Sequence, residues 1–249
     1  MTIVSQILIG LLTTFTGFIA GFTWQLSRRS ITYWRARRFW RPFVLGESKI
    51  VIGRFREFDT FEASGLVGVG DMQAAAEVAA FAAELGFRRR ARAVDIVYQD
   101  QLTGDLYGAN LICIGGPEGN RVTERILKGL NTSIEFDSGT DKTSLLDTDT
   151  NTAYTPEFET GSERQKTLVL DYGLLIKAPN PLDTRHSVII IAACYGYGTW
   201  AGARMARSPQ FLRTELAARG QAMECLYKVE VIKEAPQIPN VVSIRPIPA

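Results

Sequence analysis

Three glycine-bearing turns and a handful of carboxylates hold most of the chemical potential of this chain. The turns read GLVGVGD (65–71), GGPEGN (115–120) and CYGYGT (194–199), and each separates a β-forming run from a helix-forming one. Glycine at such a junction lets an anionic group approach the backbone, and the free N–H groups and positive dipole end of the next helix favour negative charge. The residues placed to meet a phosphate-bearing ligand are Gly68, Gly70 and Asp71 in the first turn, and Gly115, Gly116, Pro117 and Asn120 in the second. Gly196, Tyr197, Gly198 and Thr199 complete the set in the third. Asp171, in a strand-forming run beside Tyr172, could orient a ribose hydroxyl or hold a backbone group. Plainer readings stand beside these. Tight strand-to-helix turns use glycine for steric reasons alone, Asp71 is placed as a helix N-cap, and Glu118 reads as a solvated turn residue. No Walker lysine pattern occurs, and GxGxxG does not follow the first strand in the dinucleotide form.

Other chemistries have few residues to work with. The one histidine, His186, sits in a polar turn, which argues against a histidine-based catalytic set or a zinc site. Cys113, Cys194 and Cys225 lie in or near apolar strand patterns without CxxC or metal spacing, as buried thiols do. DTDTNT (147–152) begins like a calcium loop but lacks glycine at its sixth position and carries Phe158 at its twelfth. We therefore expect no metal and no resident cofactor, and a nucleotide-derived ligand acting as a signal. Nucleic acid is not an expected partner, because no reading motif accompanies the basic residues.

The elements that must position the turns follow from periodicity. SKIVIGRF (48–55) reads as the first strand, and MQAAAEVAAFAAEL (72–85) as a helix between Asp71 as N-cap and Gly86 as C′ residue. Residues 93–98 read as a strand after the basic cluster Arg88, Arg89, Arg90 and Arg92. That cluster suits a solvated face, lipid headgroups or a phosphate-bearing ligand. LICI (111–114) is a buried strand, and residues 121–130 a helix capped by Asn120. The polar stretch 131–166 reads as an inserted loop or irregular hairpin. TLVLDYGLLIKA (167–178) is a strand expected to pair antiparallel with its neighbour. VIIIAACYGYGTWAGARMA (188–206) supplies the last strand, glycine turn and helix. A helix over 209–219 and strands near 223–233 and 241–245 close the chain. This succession predicts an α/β fold, a Rossmann-like three-layer sandwich with a mostly parallel, mixed sheet, over residues 45–249.

A buried strand entering GGP (115–117) and a later one entering GYGTWAG (196–202) resemble the SLOG group of Rossmann-like domains. That group is related to lysine-decarboxylase-like phosphoribohydrolases and DNA-processing DprA proteins. The family marks are a GG turn and a PGGxGTxxE turn on the ligand rim. Gly196, Gly198 and Thr199 match the GxGT core, whereas Cys194 and Tyr195 replace the proline-glycine lead and Gly202 stands where the enzymes carry glutamate. The resemblance implies nucleotide binding over roughly residues 49–233, and the missing glutamate removes the obvious group for glycosidic cleavage.

Residues 2–27 carry no charge and are long enough to cross a bilayer of about 30 Å as a helix. A cleaved signal peptide is the rival reading, opposed by the lack of a positive n-region and by the long apolar span. Arg28, Arg29, Arg35, Arg37, Arg38 and Arg41 follow, with no acid before Glu47, which predicts an N-out, single-pass anchor with the C-terminal domain in the cytoplasm. Residues 28–44 read as a basic-aromatic juxtamembrane linker, with Trp24, Tyr33, Trp34 and Trp40 settling at the interface. Gly10, Thr13, Gly17 and Gly21 line one face of the span and suit helix association in a homo-oligomer. Such a layout resembles membrane effectors of bacterial antiphage signalling. The expected function is a membrane-anchored nucleotide sensor. Two alternatives are a tethered nucleotide or NAD glycosidase using Asp71, Glu118 or Asp171, and a scaffold without ligand.

Overall fold

The computed structural model describes residues 31–56, 62, 64–86, 94–138, 143–160 and 166–248, together with Phe18. The expected membrane span with Gly10, Thr13, Gly17 and Gly21, and the arginines at 88–90 and 92, lie outside the described residues. Among the described residues no helix is long and apolar enough to cross a membrane.

The central sheet is mixed. Strands β1 (Ser48–Ile52), β2 (Asp95–Tyr98), β3 (Asn110–Ile114) and β9 (Ser187–Ala193) lie in the order β2-β1-β3-β9 and run parallel. Beyond β9 the long β8 (Lys166–Pro179) and β10 (Met223–Ile232) continue antiparallel. The predicted antiparallel pairing of 167–178 is thus present. β7 (Glu157–Thr160) pairs with β8, and β11 (Ala235–Pro236) and β12 (Asn240–Pro246) pair with β10. The insertion is more ordered than a loop: β4 (Ile134–Ser138), β5 (Thr143–Asp147) and β6 (Thr152–Tyr154) form a separate antiparallel sheet.

Alternation along the strands builds two cores. Ile50, Ile52, Ile112, Ile114, Ile189 and Ile191 face α2 (Val69–Gly86) and α4 (Gly196–Ala206). Val51, Leu111, Cys113, Val188 and Ile190 face α3 (Arg121–Leu127) and the β4-β5-β6 sheet. The period of two along a strand sends neighbours to opposite faces, and burial of each such side chain contributes about 2 kcal/mol. The result is the predicted α/β three-layer arrangement, with the insertion forming part of one outer layer. Elements are shorter than the sequence pattern in places: α3 stops at Leu127, and the expected 209–219 helix is a single 3-10 turn (Phe211–Arg213) followed by α5 (Glu215–Arg219).

Residues 28–44 were expected to be a linker at the membrane interface, and the described part is otherwise. Residues 31–39 are helical and run into α1 (Arg41–Leu45) through Trp40. Pro42 has no N–H for the Arg38 carbonyl, which interrupts the helix at this point. Ala36, Phe39, Trp40, Phe43 and Val44 are buried, with Trp40 edge-on to Phe81 at 6.0 Å and Phe39 to Phe211 at 5.6 Å. Their spacing of three and four turns one helix face onto α2 and the Phe211 turn, so Trp40 is a core residue and not an interfacial one.

Candidate ligand rim at the strand ends

The parallel strands deliver their C-terminal ends to one edge, and there the three glycine turns meet. The starts of α2 and α4 touch backbone to backbone: a Cβ on Gly70 would lie 2.1 Å from the Gly196 carbonyl oxygen. Only glycine at 70 permits this approach. Gly115 adopts φ +95°, in the left-handed region, and its N–H donates to the Ile191 carbonyl at 3.0 Å, joining the ends of β3 and β9. A Cβ at Gly115 would stand 2.9 Å from Asp71 Oδ2, and one at Gly68 3.2 Å from the same oxygen. A Cβ on Gly196 would lie 4.0 Å from the Asp71 nitrogen, so residues of all three turns surround one acid. The Thr199 hydroxyl donates to the Tyr195 carbonyl at 3.5 Å.

Asp71 is not the N-cap expected from sequence. The helix starts at Val69, and the Met72 N–H already donates to the Gly68 carbonyl, so Asp71 falls within the first turn. From there its half-buried side chain lies against Gly68 and Gly115. Burial pushes its carboxyl up to about 6, opposed by the Thr199 hydroxyl. Leu66, Val69 and Met72, near it in sequence, are exposed, Val69 at 76%.

The other two helix starts are closed from within. Asn120 is fully buried and its Oδ1 accepts from the Val122 and Thr123 N–H groups, at 3.0 and 3.3 Å. Its Nδ2 donates to the carbonyls of Val51 and Ile114, which ties β1 to β3. This N-cap was legible in sequence, but all its polar atoms serve the protein itself. Asp171, also fully buried, accepts at Oδ2 from Tyr195 N (3.2 Å) and Gly198 N (2.9 Å), and at Oδ1 from its neighbour Tyr172 N (2.9 Å). A carboxylate from β8 therefore caps α4, where the sequence suggested a phosphate. Of its two sequence readings, the structure gives Asp171 the backbone-holding one. Burial pushes its carboxyl up to about 8 against those N–H donors. A Cβ on Gly198 would lie 2.4 Å from Asp171 Oδ2, so this glycine makes room for the cap.

The remaining positions divide. Gly116 and Tyr197 are half-buried at the rim, whereas Pro117 lines a separate cavity of about 410 Å³ with Glu124, Lys128, Ile134 and Phe136 on the α3 face. Glu118 is exposed and accepts from the Thr143 hydroxyl at 2.8 Å, turned toward the inserted sheet. Among the described residues no cluster of three His, Cys, Asp or Glu could hold a metal ion. Asp147 of the calcium-like stretch is instead paired with Arg245.

No known family model matches this chain, and no curated protein matches it either. The geometry at Gly202 bears on the one resemblance its turns suggest. Position 202 faces the sheet, not the crevice: a Cβ there would lie 2.1 Å from Tyr227 Oη. The Tyr227 hydroxyl donates to the Gly198 carbonyl at 3.0 Å, and its ring fills the space. Sequence reasoning missed Tyr227, and also Thr123, whose hydroxyl donates to the Gly115 carbonyl at 3.0 Å. The signal for Tyr227 was faint, a small-residue helix face requiring a large partner. Nothing in the local sequence pointed to Thr123.

Proposed function

We propose that this chain is a membrane-anchored sensor of a nucleotide-derived messenger, read at the rim around Asp71. The observation that carries the reading is the convergence of three separate turns, with contacts too close for side chains, on a single half-buried carboxyl. Asp71 suits a sugar hydroxyl as acceptor, and the exposed side chains of Leu66, Val69 and Met72 suit a flat ring. These features favour a nucleoside over free phosphate. Ligand bound against the touching starts of α2 and α4 would act on two helices whose far ends contact the 31–45 segment. Tyr33 Oη donates to the Leu85 carbonyl at 3.2 Å, and Trp40 Nε1 to the Ala206 carbonyl at 3.2 Å. α2 spans 18 residues, which at about 1.5 Å each carries the coupling about 26 Å.

In this account ligand favours an oligomer in which the faces bearing Gly10, Thr13, Gly17 and Gly21 meet and perturb the bilayer, as in antiphage defence. The ligand must bind that state more tightly by a few kcal/mol to shift the population. Mass spectrometry of small molecules that co-purify with the chain identifies candidates, and dye leakage from liposomes carrying the full-length protein tests the output. Ligand-triggered leakage should be lost on replacing Gly17 and Gly21 with leucine while ligand affinity is retained; leakage unchanged by those substitutions removes the helix-face mechanism.

A second reading, a tethered nucleotide or NAD glycosidase, is favoured by one observation, the raised carboxyl of Asp71 where the three turns meet. Of the three acids open to such a role in sequence, Asp171 is occupied as a helix cap and Glu118 faces the inserted sheet. Turnover of a nucleotide panel that disappears in Asp71→Asn would replace the sensor with this enzyme.

A further inference from the structure

The segment 31–45 has two unlike faces, and only one is accounted for by the core. Ile31, Trp34, Arg38, Arg41 and Leu45 are all exposed, at successive spacings of three, four, three and four, on the side opposite Ala36, Phe39, Trp40 and Phe43. Ile31 is 52%, Trp34 59% and Leu45 51% exposed. The Arg38 guanidinium lies over the Trp34 ring, 5.5 Å from its centroid. Acids are absent from residue 28 to residue 46, while Arg28, Arg29, Arg35, Arg37, Arg38 and Arg41 all fall within that stretch. Among the described residues no ion pair forms to Arg35, Arg37, Arg38 or Arg41, and Glu215 of α5 is taken by Arg219 at 2.8 Å.

We propose that this outward stripe is a docking surface for the anionic headgroups of a phospholipid bilayer, so that residues 31–45 hold the domain in a fixed orientation on the membrane. The proposal deepens the membrane-anchored reading without requiring that residues 2–27 cross the bilayer, and it replaces the linker read from the sequence with a rigid bracket. Charge complementarity selects the partner: a single-sign stripe meets anionic lipid, and tryptophan with flanking aliphatic side chains suits the boundary between headgroup and acyl chain. The opposite face fixes the orientation. Because Phe39, Trp40 and Phe43 are buried in the domain, the stripe cannot rotate independently of α2 and α4.

The test uses the full chain reconstituted into vesicles of phosphatidylcholine alone or mixed with phosphatidylglycerol, each doped with lipid brominated high on the acyl chain. Tryptophan quenching is compared between the wild type and Trp34→Phe. We expect a component of quenching that is lost in Trp34→Phe, is larger in the anionic vesicles, and falls in Arg38→Glu and Arg41→Glu, whose exposed positions leave the melting temperature unchanged. Equal quenching of wild type and Trp34→Phe, or a Trp34 component indifferent to phosphatidylglycerol, would overturn the proposal. Carbonate-resistant flotation separates this from the anchor reading. A chain released by carbonate but still bound to anionic vesicles in low salt, about fivefold more weakly for each arginine removed, would sink the span and keep the docking surface.

Discussion

Gly202 and Tyr227 show how one residue constrains the rim from beneath. A methyl at 202 would collide with a phenolic oxygen in the core, and the ring cannot retreat without releasing the Gly198 carbonyl. Gly202→Ala should therefore cost about 1–3 kcal/mol, as overpacking does. Tyr227→Phe on the same background should recover part of that loss, which denaturant melts of the two variants would measure. Asn120→Ala removes four hydrogen bonds in a fully buried position and leaves backbone groups of two strands and a helix unpaired, a loss of about 3 kcal/mol. Asp71 makes a prediction about binding. Its carboxyl titrates near 6 in the fold against an ordinary 3.8, so the folded chain holds the extra proton between those values and stability falls as pH rises through them. As the acceptor for a sugar hydroxyl the carboxyl must be ionised: affinity for adenosine, used as an uncharged probe, should rise as pH rises through about 6. In Asp71→Asn that pH dependence should vanish, which calorimetric titration at pH 5.5 and 7.5 would show.

At the scale of elements, the segment 31–45 is the part whose removal should be felt furthest from its own position. Trp40 closes the end of α4 and packs on Phe81, so Trp40→Ala should cost about 3–5 kcal/mol. An interfacial tryptophan would cost little, and thermal melts distinguish the two. Lys177 of β8 lies beneath the same segment, its ammonium 4.8 Å from the Phe39 ring centroid and donating to the Gly220 carbonyl at 2.8 Å. Burial lowers it to about 8 from 10.5, so the unfolded chain binds the extra proton between these values and stability should rise with pH across that window. Lys177→Met should abolish that slope. Neither residue announced its place in the sequence. The aromatic and basic residues of 31–45 carry two messages at once, and a window that counts types cannot separate the buried spacing of 36, 40 and 43 from the exposed one of 34, 38 and 41. The strands were legible because a parallel sheet covered on both faces leaves continuous apolar runs, such as LICI. The insertion was not, because β4, β5 and β6 bury only one face and are rich in polar residues. The rim was legible as three turns, yet which helix starts were closed depended on Asp171, contributed by a strand distant in sequence.

For the whole molecule, the proposed ligand rim and the proposed membrane-facing bracket would lie at opposite ends of α2 and α4, with the sheet as a rigid support between them. A sensor needs such separation, because the ligand must act on packing and not on the bilayer directly. The most direct measurement of the central claim is the melting temperature of the full-length chain in detergent against a panel of nucleotides and dinucleotides, with Asp71→Ala in parallel. A ligand present at about a hundred times its dissociation constant adds about 2.7 kcal/mol, which for a chain of this size is a rise of about 5–10 °C. The account predicts that rise for at least one nucleotide in the wild type and its loss in Asp71→Ala. No shift with any nucleotide at millimolar concentration, or an equal shift in both proteins, would contradict it.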